Sequence, residues 1–250
     1  MTILAIGDLH GKDIWQQAVA RIDTDHIVFL GDYIKANRWL FNHKIRTNLE
    51  ALLSFKRRNF SRVHLLLGNH DIVYMCPNLF RASAIRHALA RRMSRLYLDH
   101  HEYFDAAFQH DQYLFTHAGV SRFWYQRHKL LISQQPGDTI AGKLNAVQRS
   151  DDFQILHEKG KARGGPFEHG GITYADKVET EQSPLEGYFQ IVGHTKVKRP
   201  VASKSDKGCV AYIDCLNSVN EFLYIQQEQV SVIALDGSQR SLGNTPGADR

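Results

Sequence analysis

MTILAIGDLHG, residues 1–11, runs an apolar stretch, Thr2 to Ile6, straight into Gly7, Asp8, Leu9, His10 and Gly11. A strand that only had to stop could end in any turn former. This one ends in two side chains able to bind a metal, and the arrangement recurs down the chain. After the apolar run His26 to Leu30 come Gly31 and Asp32; after Arg62 to Leu67 come Gly68, Asn69, His70 and Asp71. Tyr113 to Thr116 stops at His117 in THAGV, and Gln190 to Gly193 at His194 in VGHT. Ligands of open α/β sheets bind beyond the carboxyl ends of the strands, so these ends are expected to converge.

Between the strand ends, residues 12–22 and 39–58 carry apolar side chains near the helical period. A β-α-β-α-β order by itself predicts a mainly parallel sheet with covering helices. Helical spacing also extends over 81–109, where Arg86, Arg91 and Arg95 read as a solvated face, and over 121–131 and 141–158. Strands at 208–214, 221–225 and 230–235 close the chain. The less regular segment Ser133 to Gly187, with its loop KGKARGGPFEHGG, is expected to be an insertion or substrate rim. One domain over 1–236 is expected, followed by a flexible tail over 237–250.

Composition narrows the function class only slightly. A chain with 43% apolar and 23% charged residues is an ordinary globular one, and a net charge of +5 favours anionic partners such as phosphate esters or nucleic acid. Cys76, Cys209 and Cys215 lack the paired spacing of a zinc site or a secreted disulfide framework, which points to a reducing, cytoplasmic setting. No apolar run reaches the roughly 18 residues of a membrane span, and no basic segment precedes the first apolar stretch, so neither a membrane anchor nor a signal peptide is expected.

Each strand end has a plain structural reading when taken singly. Gly-Asp is a common turn, GNHD a capped loop, and His117 a hydrogen-bonded core histidine. Taken together, Asp, Asn and His without thiolate form a donor set suited to Mn, Fe, Zn or a similar divalent ion.

The ordered series GDLHG, GD, GNHD, HAG and GHT resembles the calcineurin-like metallophosphoesterases, in the branch that holds Ser/Thr phosphoprotein phosphatases and symmetrical diadenosine tetraphosphate hydrolases. The resemblance spans Gly7 to Thr195. It implies a β-sandwich of two mixed sheets flanked by helices, an α/β fold that replaces the simple parallel sheet, with a dinuclear site at the strand ends. It further implies that Asp8 and His10 hold one metal, that Asp32 bridges both, and that Asn69, His117 and His194 complete the second. His70 would face the leaving group, and Arg163, in the sequence ARGG, would clamp the substrate phosphate. Two divalent ions, Mn²⁺ foremost with Fe, Zn or Ni compatible, would deliver a bridging hydroxide to phosphorus.

The second motif departs from the pattern. Where the family has GD, two further residues and then DRG, this chain reads GDYIKAN, with Lys35 in place of the second aspartate and Ala36 in place of the arginine. Losing that carboxylate should weaken His70 as a proton donor and favour leaving groups that need little protonation. Lys35 is then a candidate to bind a substrate phosphate, Arg38 to stand in for the missing arginine, and Asp71 to pair with His70 at the substrate. The leading expectation is a hydrolase of phosphomonoesters, Ser/Thr protein phosphatase-like, with a phosphoprotein as partner. Hydrolysis of dinucleoside polyphosphates or another nucleotide anhydride is the alternative. A catalytically inactive nucleic-acid-binding module is the third reading, disfavoured because all six proposed ligands are present.

Overall fold

The computed structural model describes residues 1–34, 42–76 and 87–244. Lys35 and Arg38 therefore lie outside the described residues. The chain opens with β1 (Thr2–Ile6), α1 (Ile14–Arg21), β2 (His26–Phe29), α2 (Asn42–Arg58), β3 (Val63–Leu66), α3 (Asn69–Met75) and α4 (His87–Asp99). A two-residue strand β4 (Phe104–Asp105), β5 (Ala107–His110) and β6 (Tyr113–Thr116) follow, then α5 (Arg122–Ser133), α6 (Ile140–Gln148) and α7 (Lys177–Gln182). The last part is all strand: β7 (Phe189–Lys196), β8 (Val201–Ser205), β9 (Gly208–Asp214), β10 (Glu221–Gln226), β11 (Gln229–Ala234), β12 (Gln239–Ser241) and β13 (Gly243–Asn244).

These strands form two mixed sheets, one in the order β12-β11-β10-β1-β2-β3-β4 and the other β13-β8-β9-β7-β6-β5. The parallel run β1-β2-β3-β4 is the part that β-α-β alternation anticipates. Antiparallel β10 on the other side of β1 makes that sheet mixed. In the second sheet β7 lies parallel to both β6 and β9.

Alternation along β1 shows how the layers stack. Ile3 and Ala5 join Val28, Leu66, Phe115, Ile191 and Ile213 in the core between the sheets. Leu4 and Ile6 face the other way, into a core with Trp15, Leu49, Leu52 and Met93 from the helices. Strands buried on both faces read as continuous apolar runs, as these do. A third core, around Leu114, Trp124, Leu144 and Leu156, seats α5 and α6 outside the second sheet.

Three expectations need correction. The helical pattern over 81–109 ends at Asp99, and Phe104 and Phe108 lie in β4 and β5 instead. Asp111, with φ of +47°, turns β5 back onto β6, and so short an apolar window cannot separate the two periods. The helix expected over 141–158 stops at Gln148, where Ser150 Oγ donates to the carbonyl of Val147, and resumes only as a 3₁₀ turn at Phe153–His157. The tail expected from 237 is partly ordered: Gln239–Ser241 pairs with β11 and Gly243–Asn244 with β8. β12 is a short polar edge strand and so carries no apolar alternation to signal it.

Candidate metal centre

The carboxyl ends of β1, β2, β3, β6 and β9 and a bulged stretch of β7 meet at one cleft of about 420 Å³. Asp8, His10, Asp32, Asn69, His70, Arg163 and His194 line it, and His117 lies fully buried behind them. One donor atom each from Asp8, His10 and Asp32 falls within 4.8 Å of the others. On the far side of Asp32, its Oδ1 is 3.6 Å from His117 Nε2, and Asn69 Oδ1 is 3.0 Å from His117 Nε2 and 2.9 Å from His194 Nδ1.

The backbone is bent to bring these groups inward. His10, Asp32 and His194 hold φ of +47°, +53° and +58°, a region that costs a non-glycine residue free energy and tends to persist where the surroundings enforce it. His194 is thus not the residue on which a strand stops. β7 continues through it to Lys196, with a register shift against β9 that turns the ring into the cleft. Two glycines leave room for carboxylates. A Cβ on Gly68 would sit 2.3 Å from Asp32 Oδ1, and one on Gly193 would sit 2.0 Å from Asp8 Oδ1.

The donor set fits cations. His117 Nδ1 lies 2.6 Å from the carbonyl of Leu30, which places the proton on Nδ1 and leaves a lone pair on Nε2. That lone pair, Asn69 Oδ1 and His194 Nδ1 lie within 3.2 Å of one another, three donor atoms converging as ligands of one cation would. Asp8 Oδ1 accepts the His194 N–H at 3.0 Å, while Asp8 Oδ2 is buried with no hydrogen-bond partner. Burial above all, then the charges of Asp214 and Asp32, push the Asp8 pKa well above the usual carboxylate range. Burial also lowers the pKa of His117, keeping it neutral.

Proton and metal therefore compete for Asp8. Because its folded pKa is raised, Asp8 holds its proton to a higher pH than an ordinary carboxylate, so divalent-ion affinity is expected to climb as pH rises above the usual carboxylate range. Calorimetric titration of chelator-stripped protein at rising pH checks this; a flat affinity would contradict it.

Asp71 corrects an expectation. It is fully buried and does not line the cleft. Its carboxylate accepts the N–H groups of Asp32 at 2.6 Å, Tyr33 at 3.0 Å and Gly68 at 2.8 Å, and the Tyr97 hydroxyl at 2.6 Å. The contact to Gly68 closes a capping-box arrangement at the start of α3. Asp71 thus ties the end of β2 to the end of β3 and is not placed to touch substrate. Burial and the Asp32 charge push its pKa up to about 7, against the pull of the Tyr97 and Gly68 hydrogen bonds.

His70 stands at the cleft with its ring Nε2 3.8 Å from Asp32 Oδ2, and its own N–H donates to Asp32 Oδ1 at 2.9 Å. Arg163 reaches the cleft from a short 3₁₀ turn, its Nε 2.7 Å from Asp176 Oδ2 and its Nη2 donating to Thr195 Oγ1 at 2.9 Å. Sequence reasoning missed Lys159, Tyr174, Lys196 and Asp214, which also line the cleft. Asp214 ends β9 and was open to the same strand-end reading. The loop residues Lys159 and Tyr174 carry no periodic signal.

Among the described residues no helix is long and apolar enough to cross a membrane. A family model described as calcineurin-like phosphoesterase matches residues 1–195. No curated protein matches the chain. Among solved structures, a cold-active protein-tyrosine phosphatase of a psychrophilic Shewanella sp. is similar at 20% identity, with a TM-score of 0.64 over 96% of this chain and 80% of that one. A protein serine/threonine phosphatase from Saccharomyces cerevisiae is similar at 13% identity, with a TM-score of 0.53 over 99% of this chain and 82% of the other. At such identities the likeness speaks for the fold alone. The family match, in contrast, runs through every strand-end motif from Gly7 to Thr195, and by it the chain belongs to the calcineurin-like phosphoesterases, metal-dependent hydrolases of phosphoester bonds.

Proposed function

We propose that this protein hydrolyses phosphomonoesters, with Asp8 and His10 holding one divalent ion, Asn69, His117 and His194 a second, and Asp32 touching both. The observation that carries this reading is the convergence of His117 Nε2, Asn69 Oδ1 and His194 Nδ1, each within 3.2 Å of the others, beside Asp8 Oδ2, which has no hydrogen-bond partner. When bound, two such ions supply Lewis acidity toward the phosphoryl oxygens and lower the pKa of water, with Mn²⁺ our first choice of metal.

The rest falls to the side chains. Arg163, steadied by Asp176 and Thr195, has N–H groups to spare for a phosphate oxygen. The segment 133–187 acts as the substrate rim, contributing Lys159, Arg163 and Tyr174 to the cleft. His70 lies where it can give a proton to a departing oxygen, oriented through Asp32 at 3.8 Å. Replacing His70 with alanine is expected to slow an alkyl phosphate by about 10²- to 10⁴-fold while sparing a good aryl leaving group. Steady-state rates over a series of leaving groups measure this; equal losses across the series would remove His70 from proton donation.

One observation favours a second reading, hydrolysis of a dinucleoside polyphosphate or other phosphoanhydride. Lys159 and Lys196 line the cleft as exposed cations beside Arg163, more positive charge than one phosphate needs. A substrate panel under Mn²⁺, covering aryl phosphate, phosphopeptide and diadenosine tetraphosphate, separates the two. Preference for the phosphopeptide supports the monoester reading, preference for the tetraphosphate supports the anhydride, and turnover of neither contradicts both.

A further inference from the structure

Asp214 is 2% exposed and ends β9, yet it is among the residues that line the cleft. Its place follows from the sandwich. A Cβ on Gly7 would meet the Ile213 carbonyl oxygen at 2.3 Å and Asp214 Cα at 3.4 Å, so the end of β1 and the end of β9 are in backbone contact. Asp214 is thereby delivered to the side of Asp8, whose carboxyl its charge reaches. Two lysines stand near it. Lys196 is its cross-strand neighbour, and the Lys12 Nζ donates to the carbonyl of Leu216, two residues beyond Asp214.

The two halves of the donor set are unequal. Asp32, Asn69, His117 and His194 make four groups on one side, whereas Asp8, His10 and Asp32 make three on the other. The poorer half is the one beside Asp214. We propose that Asp214 is a positioning carboxylate for the divalent ion on the Asp8–His10 side, adding a third negative charge, next to Asp8 and Asp32, to the half with fewer donor groups. This rests on the two-metal reading given above. Asp214 lies outside the trio grouped within 4.8 Å, so it acts alongside those three ligands and does not replace one.

The arrangement carries a stability cost in the metal-free protein. Three buried carboxylates, Asp8, Asp32 and Asp214, crowd one end of the sandwich, and their mutual repulsion at Asp8 is offset by Lys12 and Lys196 only on the Asp214 side. A merely structural aspartate would have the opposite signature, since removing it would loosen the metal-free fold.

Calorimetric titration of chelator-stripped wild-type and Asp214→Asn protein with Mn²⁺, with thermal melts of both metal-free forms, tests the proposal. The variant is expected to lose about 10- to 100-fold in affinity at one of two sites, leaving the other unchanged, while its metal-free melting temperature holds or rises. Asp214→Glu should recover part of the lost affinity. Two unchanged affinities, an equal loss at both sites, or a lower metal-free melting temperature with binding intact would overturn the role of Asp214. Absence of any Mn²⁺ binding by the wild type would instead overturn the two-metal reading itself, so the two failures are distinguishable.

Discussion

Asp32→Asn is expected to lower Mn²⁺-dependent hydrolysis of an aryl phosphate by about 10³-fold or more, with the fold intact. Asp32 faces both donor sets, grouped with Asp8 and His10 on one side and 3.6 Å from His117 Nε2 on the other. An amide keeps the shape but removes the charge and turns N–H donors toward positions meant for cations. The same change weakens the hold on His70, whose N–H and ring both meet the Asp32 carboxylate. Measuring kcat/KM alongside circular dichroism separates chemistry from unfolding. Activity within tenfold of wild type, in a folded variant, would remove Asp32 from the centre of the mechanism.

Asp71→Ala is expected to cost about 3–5 kcal/mol of stability, although the residue touches no substrate. The backbone N–H groups of Asp32, Tyr33 and Gly68 and the Tyr97 hydroxyl would all lose their acceptor inside the protein. For a domain of this size that corresponds to a fall in melting temperature of roughly 10 °C. Activity should fall as well, because the left-handed turn at Asp32, with φ of +53°, is held by that carboxylate. Thermal melts and activity assays below the new midpoint check both parts. A change of only a degree or two would mean that water or another side chain already serves these donors.

Much of this was legible in the sequence because strand ends punctuate it strongly. The runs before Gly7, Gly31, Gly68 and His117 become β1, β2, β3 and β6, and Asp8, His10, Asp32, Asn69 and His70 at their ends line one cleft with His117 buried behind it. The two-sheet architecture was not available from alternation alone. Pairing of β1 with β10 joins residues more than 200 positions apart, and no local period encodes such a contact. It came from the resemblance carried by the motifs. Asp71 was misjudged because its neighbours Asn69 and His70 point to the cleft, whereas the start of α3 turns the next side chain beneath the strand ends. Asp214 was passed over for a different reason: it follows CVAYI without a glycine to mark the turn, so only the folded sheet brings it beside Asp8.

Elemental analysis combined with an aryl phosphate assay, before and after stripping with a chelator and restoring with Mn²⁺, tests the two-metal phosphoesterase most directly. The expected result is two equivalents of metal per chain, turnover that disappears on stripping and returns with Mn²⁺, and Asp8→Asn failing on both counts. Protein that retains no metal and shows no turnover, with Asp8→Asn indistinguishable from wild type, would contradict it.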